Sequence, residues 1–227
     1  MIFVVFRIFV NGMTSYDRVK AALEHREADK VPFDLGSAAV TGINVKALIS
    51  LRKYLGLPEN VTVKDRITQI ANIEDDLIDR LMIDVKGVRP SASSKKGLAM
   101  ELGVEEGYDR IIDEWGMGWR MPLKGGHYYD LYHSPLASAQ SIADIEKYPW
   151  PDALDTARYA DLKLNADHIV NIEKKAYFLE RMSSGMWEHA MWMRGYEQFY
   201  IDMMMNPGIV QAIMEKILEV NMQYWER

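Results

Sequence analysis

The side chains able to do chemistry in this 227-residue chain fall in a few short polar stretches. Ser183-Ser184-Gly185 stands before a helix-forming run, so backbone N–H groups there could be offered to an anion; the plainer reading is an ordinary helix start. Arg89, followed by Pro90, could grip a carboxylate or phosphate through two parallel hydrogen bonds, or simply lie on the surface. Ser37 and Thr41 sit in a small-residue loop over 37–42, with hydroxyls suited to a ligand or to loop packing. His127 and His133 are six residues apart and would share a strand face. Asp130 lies between them on the opposite parity, so the three do not make a convincing metal site. Tyr128, Tyr129 and Tyr132 around them read as hairpin packing. His189, within Trp187-Glu188-His189-Ala190-Met191-Trp192, reads as a packing histidine rather than a ligand at the mouth of a site. Seven methionines from Met182 to Met205 read as core filling rather than a wall for a planar cofactor. Asp75, Asp76 and Asp79 read as a solvated helix face.

Composition narrows the chemistry further. The chain has no cysteine, which removes disulfides, thiolate metal sites and cysteine nucleophiles together. With 27 Lys and Arg against 33 Asp and Glu, the net charge of −6 argues against a general nucleic-acid binder. The 48% hydrophobic fraction is enough for a sizeable core. The longest apolar run, residues 1–10, is interrupted by Arg7 and is too short to span a bilayer, which takes about 20 residues. No signal-peptide pattern is present, so a cytoplasmic protein is expected. Residues 1–12 read as an upstream extension of a frame that opens at Met13, where Thr14 and Asp17 have capping-box spacing.

The elements that must position these residues follow from periodicity and punctuation. Helices are predicted over 15–27, 44–55 (closed by Gly56), 64–82, 141–147, 156–174, 186–205 and from Pro207 onward. The last carries Ile209, Ile213, Ile217, Val220 and Tyr224 on one stripe. Short buried strands are predicted over 31–36, 83–88 and 176–182. Residues 98–150 alternate and are rich in Gly and Tyr, which predicts an antiparallel hairpin insertion with strands around 110–121 and 127–133. The three buried strands, each followed by helix, form a βαβ series and require a parallel sheet.

Three stretches, "SYDRVKAALEHREADKVPFDLG", "DEWGMGWRMP…GGHYYDLYHSPLASAQSIADIEKYPWPD" and "RGYEQFYIDMMMNPGIVQAIMEKILE", resemble the uroporphyrinogen decarboxylase superfamily. The closer likeness is to its methyltransferase-like branch, the corrinoid and coenzyme M methyltransferases. The resemblance runs from Met13 to Arg227 and implies a (β/α)8 TIM barrel. A lean barrel takes about 250 residues, and only about three barrel strands are legible here. The expected fold class is therefore α/β, a partial (β/α)8 TIM barrel over 13–227 with the hairpin insertion at 98–150, an N-terminal part of a barrel enzyme. An open barrel edge also predicts self-association into a homo-oligomer.

In such a barrel the loops after the strands line the site: 37–42, 89–91 and 183–187. The expected substrate-binding residues are Ser37, Thr41, Arg89, Ser91, Ser183 and Ser184. The decarboxylase branch carries an Arg-Gln-Ala-Gly-Arg-Tyr-like motif after strand one and an essential aspartate at the end of strand two. This chain has Gly36-Ser37-Ala38-Ala39-Val40-Thr41-Gly42 at the first place. If Asp84 matches the strand-initial aspartate, and is structural, Ser91 stands at the second. Both departures turn the expectation from decarboxylation to corrinoid-dependent methyl transfer. Its partners would be a corrinoid protein and a small-molecule methyl acceptor with a thiol or oxygen. The resemblance also implies zinc held by a His-x-Cys pair and a distant Cys, none of which this chain contains. Uroporphyrinogen decarboxylase itself and a non-catalytic remnant or corrinoid-protein binding module are the alternatives. The chain alone is expected to be inactive.

Overall fold

Thr14 opens the first helix, α1 (Ser15–Leu23), by accepting a hydrogen bond from the Asp17 N–H at 3.0 Å. The structure, a computed structural model, describes residues 12–95, 99–181 and 183–227. The extension expected at 1–12 therefore lies outside the described residues except at its last position. After α1 the chain runs extended through 31–34 to a short 3-10 turn, Ala39–Thr41. Asn44 then caps α2 (Val45–Tyr54) through the Lys46 N–H.

The expected strand at 31–36 is not a ladder strand. Pro32 has no N–H to give. The Phe33 N–H goes instead to the buried Asp84 carboxylate at 2.9 Å, while the Phe33 carbonyl accepts from the Asp84 N–H. The segment thus lies beside the next strand without pairing along it.

The helix expected over 64–82 is a hairpin followed by a shorter helix: β1 (Val63–Asp65), β2 (Ile70–Ala71) and α3 (Asp75–Leu81). The Asp65 carboxylate accepts from both the Thr68 N–H and its hydroxyl at 2.8 Å. Gln69 takes a left-handed φ of 56°. Side chains that satisfy the backbone locally compete with helix, and here the turn wins. Asp76, expected on a solvated face, pairs through two hydrogen bonds with buried Arg52.

A parallel two-stranded sheet follows, β3 (Val85–Val88) and, much later in the chain, β8 (Ala176–Leu179), with Val85 opposite Ala176 and Val88 opposite Leu179. Between them β4 (Ala99–Glu105), β5 (Tyr108–Asp113), β6 (Gly118–Pro122) and β7 (Asp130–His133) form an antiparallel sheet in sequence order. The strand expected over 110–121 is therefore two strands joined at a turn. α4 (Ile142–Glu146) carries a Ser141/Asp144 capping box. The helix expected over 156–174 is a 3-10 turn, Thr156–Tyr159, then α5 (Leu162–Asn171).

The chain described ends in α6 (Met186–Arg194), α7 (Tyr196–Met205) and α8 (Pro207–Trp225). Gly195, at φ 88°, splits the helix expected over 186–205. All five stripe residues of α8 are buried. The main core lies between the antiparallel sheet and these helices, with Ile111, Trp119, Met193, Phe199, Ile213 and Ile217 among its members. The insertion thus supplies one wall of the principal core. A smaller cluster gathers Leu48, Ala71 and Leu77. Of the run of methionines, Met193 is core, whereas Met204 and Met205 are exposed. Among the described residues the protein is mixed α/β with three small sheets.

Candidate functional site

The carboxyl ends of β3 and β8 open toward the antiparallel sheet, and a cavity of about 660 Å³ lies between them. In parallel α/β arrangements this end of the strands is where ligands bind. Arg89 reaches the cavity from just beyond β3, and Arg181, Ser183 and Ser184 from just beyond β8. Asp113, Trp115, Met117 and Trp119 face it from the sheet, and His189 and Trp192 from α6.

Asp113 is held by the turn it starts. Its carboxylate accepts the Trp115 N–H at 2.9 Å, the Met117 N–H at 3.0 Å and the Trp119 Nε1–H at 2.8 Å. Burial nevertheless outweighs these three donors and, with the nearby Glu114 charge, pushes the carboxyl up to about 6. Glu114 is itself paired with buried Arg158 at 2.9 Å.

His189 is 4% exposed, with its ring edge-on to Trp115 at 4.2 Å between centroids. Neither ring nitrogen has a hydrogen-bond partner among the described residues. Burial, then the charge of Arg181, pushes its pKa down to about 3, so the ring is neutral at physiological pH. A neutral imidazole has one N–H to give and one lone pair to fill, and here both nitrogens are buried without a partner among the described residues.

The cations at the cavity differ. Arg89 donates to the Lys64 carbonyl at 2.6 Å and stands 3.8 Å from Glu180. Glu180 in turn is ion-paired with Lys64. Arg181 is exposed and makes no hydrogen bond or ion pair among the described residues. Ser183 is occupied, exchanging hydrogen bonds with Asn221 at 2.9 and 3.1 Å. Helix α6 follows Gly185, which gives it no side-chain cap and whose own N–H donates to the Ser183 hydroxyl at 3.4 Å.

The structure therefore brings Arg89, Ser183 and Ser184 together and places the other expected residues apart. Ser37 is buried against Asp34 and lines a second cavity, of about 440 Å³, beside Lys64 and Lys86. Lys86 there is paired with Asp75 and Glu173 at 2.8 and 2.7 Å. The Thr41 hydroxyl accepts the Ala38 N–H inside its own loop. The Ser91 N–H donates to the Arg158 carbonyl, and Ser91 lines neither cavity. His127 stands near Lys46, away from the cavity.

Asp113 and Arg181 were not singled out by the sequence. Asp113 had one visible signal, an Asp three residues before Gly116, which reads as a turn rather than a site. Among the described residues no group of three His, Cys, Asp or Glu side chains could hold a metal ion. The zinc ligands implied by the resemblance are a His-x-Cys pair and a further Cys, and the chain has no cysteine. Zinc does not fit the side chains present. The arrangement can bind an apolar-bodied molecule, meet an anionic group at the rim and exchange a proton through Asp113 near pH 6. Comparison with protein-family models, with curated proteins and with solved structures yields no significant match to this chain.

Proposed function

We propose that this chain is part of a (β/α)8 barrel enzyme of the uroporphyrinogen decarboxylase superfamily, and that the protein transfers a methyl group between a corrinoid carried by a partner protein and a small molecule. In this reading β3 and β8 are barrel strands, and the extended segment 31–36 stands where the barrel's first strand would be. The cavity at their carboxyl ends takes the small molecule, and the thiolate ligands of the family's metal are not part of this chain.

The observation that carries the reading is the position of the cavity. It sits at the carboxyl ends of a parallel pair, and the loops after both strands contribute to it. The sequence resemblance supports the branch. Against decarboxylation of a multiply carboxylated tetrapyrrole stands the charge of the site: Arg89 is already engaged, and Ser91 cannot act as the acid. Each unpaired buried carboxylate of such a substrate would cost several kcal/mol. The reading places the enzyme in the cytoplasm, supported by the absence, among the described residues, of a helix long and apolar enough to cross a membrane.

The test is a product assay. The protein, in the longest form its reading frame encodes, is incubated anaerobically with uroporphyrinogen and, separately, with a methylated corrinoid and candidate thiols or oxygen acceptors. Corrinoid demethylation without coproporphyrinogen is expected. Turnover of uroporphyrinogen at an enzymic rate overturns the reading.

A further inference from the structure

We infer that the larger cavity is a binding site for a small organic cation: an alkylated ammonium group seated among the rings of Tyr128, Phe178, Trp192 and Tyr196, with the carboxylates of Asp65, Asp113 and Asp130 on the lining as its countercharge. The inference deepens the reading above and rests on it in one respect, because it names the chemical class of the small molecule that would occupy the same cavity.

The walls come first. Tyr128 reaches the lining from the segment before β7, Phe178 from β8, Trp192 from α6 and Tyr196 from the start of α7. Four rings from four elements thus converge on one space. Tyr128, Phe178 and Tyr196 are each about half exposed, so they keep apolar surface that a guest can cover. The face of an aromatic ring is negative and attracts a cation, most of all where water is displaced. The fold already uses this attraction nearby: Arg66 stands 5.7 Å from the centre of the Tyr129 ring, and Arg120 stands 4.6 Å from that of Tyr108. Neither cation of the lining, Arg89 or Arg181, stands over a ring among the described residues.

Charge decides the sign of the guest. Of the lining carboxylates, Glu114 is matched by Arg158, and Glu180 by Lys64 and Arg89. Asp65, Asp113 and Asp130 have no ion-pair partner among the described residues, and exposed Arg181 is the one lining cation left to set against them. Asp65 gives one carboxylate oxygen to the Thr68 N–H and hydroxyl, which leaves the other free to face a guest. Asp113 has three N–H donors and no cation, and burial lifts its pKa. A bound ammonium supplies the positive charge that is missing. The volume of about 660 Å³ takes such a head group with several further carbons.

The probe is choline, followed by its N-methyl proton resonance, which ring currents move upfield when the group sits against aromatic faces. Its neutral isostere is 3,3-dimethylbutan-1-ol, and its anionic counterpart is 3,3-dimethylbutanoate. With the protein in the longest form its reading frame encodes, a saturable upfield shift of choline is expected, with the alcohol at least tenfold weaker and the anion without effect. Phe178→Leu keeps an apolar side chain and removes the ring; it should weaken choline at least threefold and leave the alcohol unchanged. Tyr196→Leu should do the same and serves if the first variant misfolds. Asp65→Asn keeps the acceptor for Thr68 and loses the charge, and it too should weaken choline alone. A resonance that does not saturate, equal binding of choline and the alcohol, binding of the anion, or choline affinity unchanged in the leucine variants overturns the inference. Choline binding without any methyl transfer would retain this inference and remove the reading above; methyl transfer without choline binding would do the reverse.

Discussion

Asp84 concentrates more of the fold on one side chain than any residue near the cavity. It is 1% exposed, and its carboxylate accepts from the Ser15 hydroxyl at 2.7 Å, the Phe33 N–H at 2.9 Å and the Arg18 guanidinium at 2.5 Å. Arg18 in turn bridges to Asp29. Burial alone would raise the Asp84 pKa; the hydrogen bonds and the charges of Arg18 and Lys30 outweigh it and hold the group below the usual carboxylate range. Asp84→Asn removes one of the two carboxylates that face buried Arg18, leaving Asp29, and should cost about 2 kcal/mol in urea denaturation. A loss under about 1 kcal/mol would show that the cluster is replaceable. Two buried groups at the cavity, His189 and Asp113, make a second prediction. His189 is depressed to about 3, so the stability it contributes is present above an unfolded pKa of about 6.5 and lost as pH falls toward 3. Asp113 is raised to about 6, so its contribution is present below an unfolded pKa of about 3.9 and lost as pH rises through 6. Between about pH 4 and 6 the two oppose each other. Relative to the unaltered protein, His189→Leu should gain stability as pH falls across that range and Asp113→Asn should lose it. Denaturation midpoints at pH 4, 5 and 6 read both slopes, and slopes unchanged in both variants would contradict the burial argument.

At the scale of elements, Gly87 controls how the first segment lies against β3. A Cβ at this position would stand 2.1 Å from the Ser37 carbonyl oxygen, which is backbone and cannot step aside cheaply. Gly87→Ala should therefore cost about 1–3 kcal/mol and loosen 31–37, read as faster amide exchange at Phe33 and Gly36. Unchanged exchange would mean the segment is held elsewhere. The same segment shows why some elements were legible and others were not. The α8 stripe was readable because every decisive residue lies on its own helix at fixed spacing. The 31–36 strand was misread because its pairing is decided by a carboxylate 51 residues away. Ile67 and Ile70 satisfy helical spacing with Leu77 and Leu81, while the Asp65 side chain and the left-handed Gln69 that break the helix leave no periodic trace. Helical spacing also runs through Gly195, whose φ alone separates α6 from α7. For the site, Arg89, Ser183 and Ser184 were reachable because they follow strands. Asp113 and Arg181 were not, because what sets them apart is burial and spare charge created by distant neighbours. His189 does pack, as its sequence setting suggested, but the packing leaves its nitrogens without partners.

For the whole molecule, the division of labour is between a parallel pair that points loops at the cavity and an antiparallel sheet with three helices that closes it. Among the described residues β8 pairs only with β3, and Tyr177 and Phe178 on β8 are 46% and 47% exposed. An apolar strand with an open edge recruits further strands. This chain should show concentration-dependent association by light scattering; a monodisperse monomer across the accessible range would contradict that. The central claim is that the cavity at the strand ends is where the protein handles its small molecule during methyl transfer. The most direct measurement is the rate of demethylation of a methylated corrinoid by the longest form of the protein its reading frame encodes, compared with a Ser184→Trp variant whose circular dichroism and melting match the unaltered protein. Ser184 lines the cavity just before α6, so an indole there occupies the space the small molecule needs. Measurable transfer by the unaltered protein and a loss of at least tenfold in the variant are expected. Transfer undiminished by the filled cavity, or none by the unaltered protein, would contradict the claim.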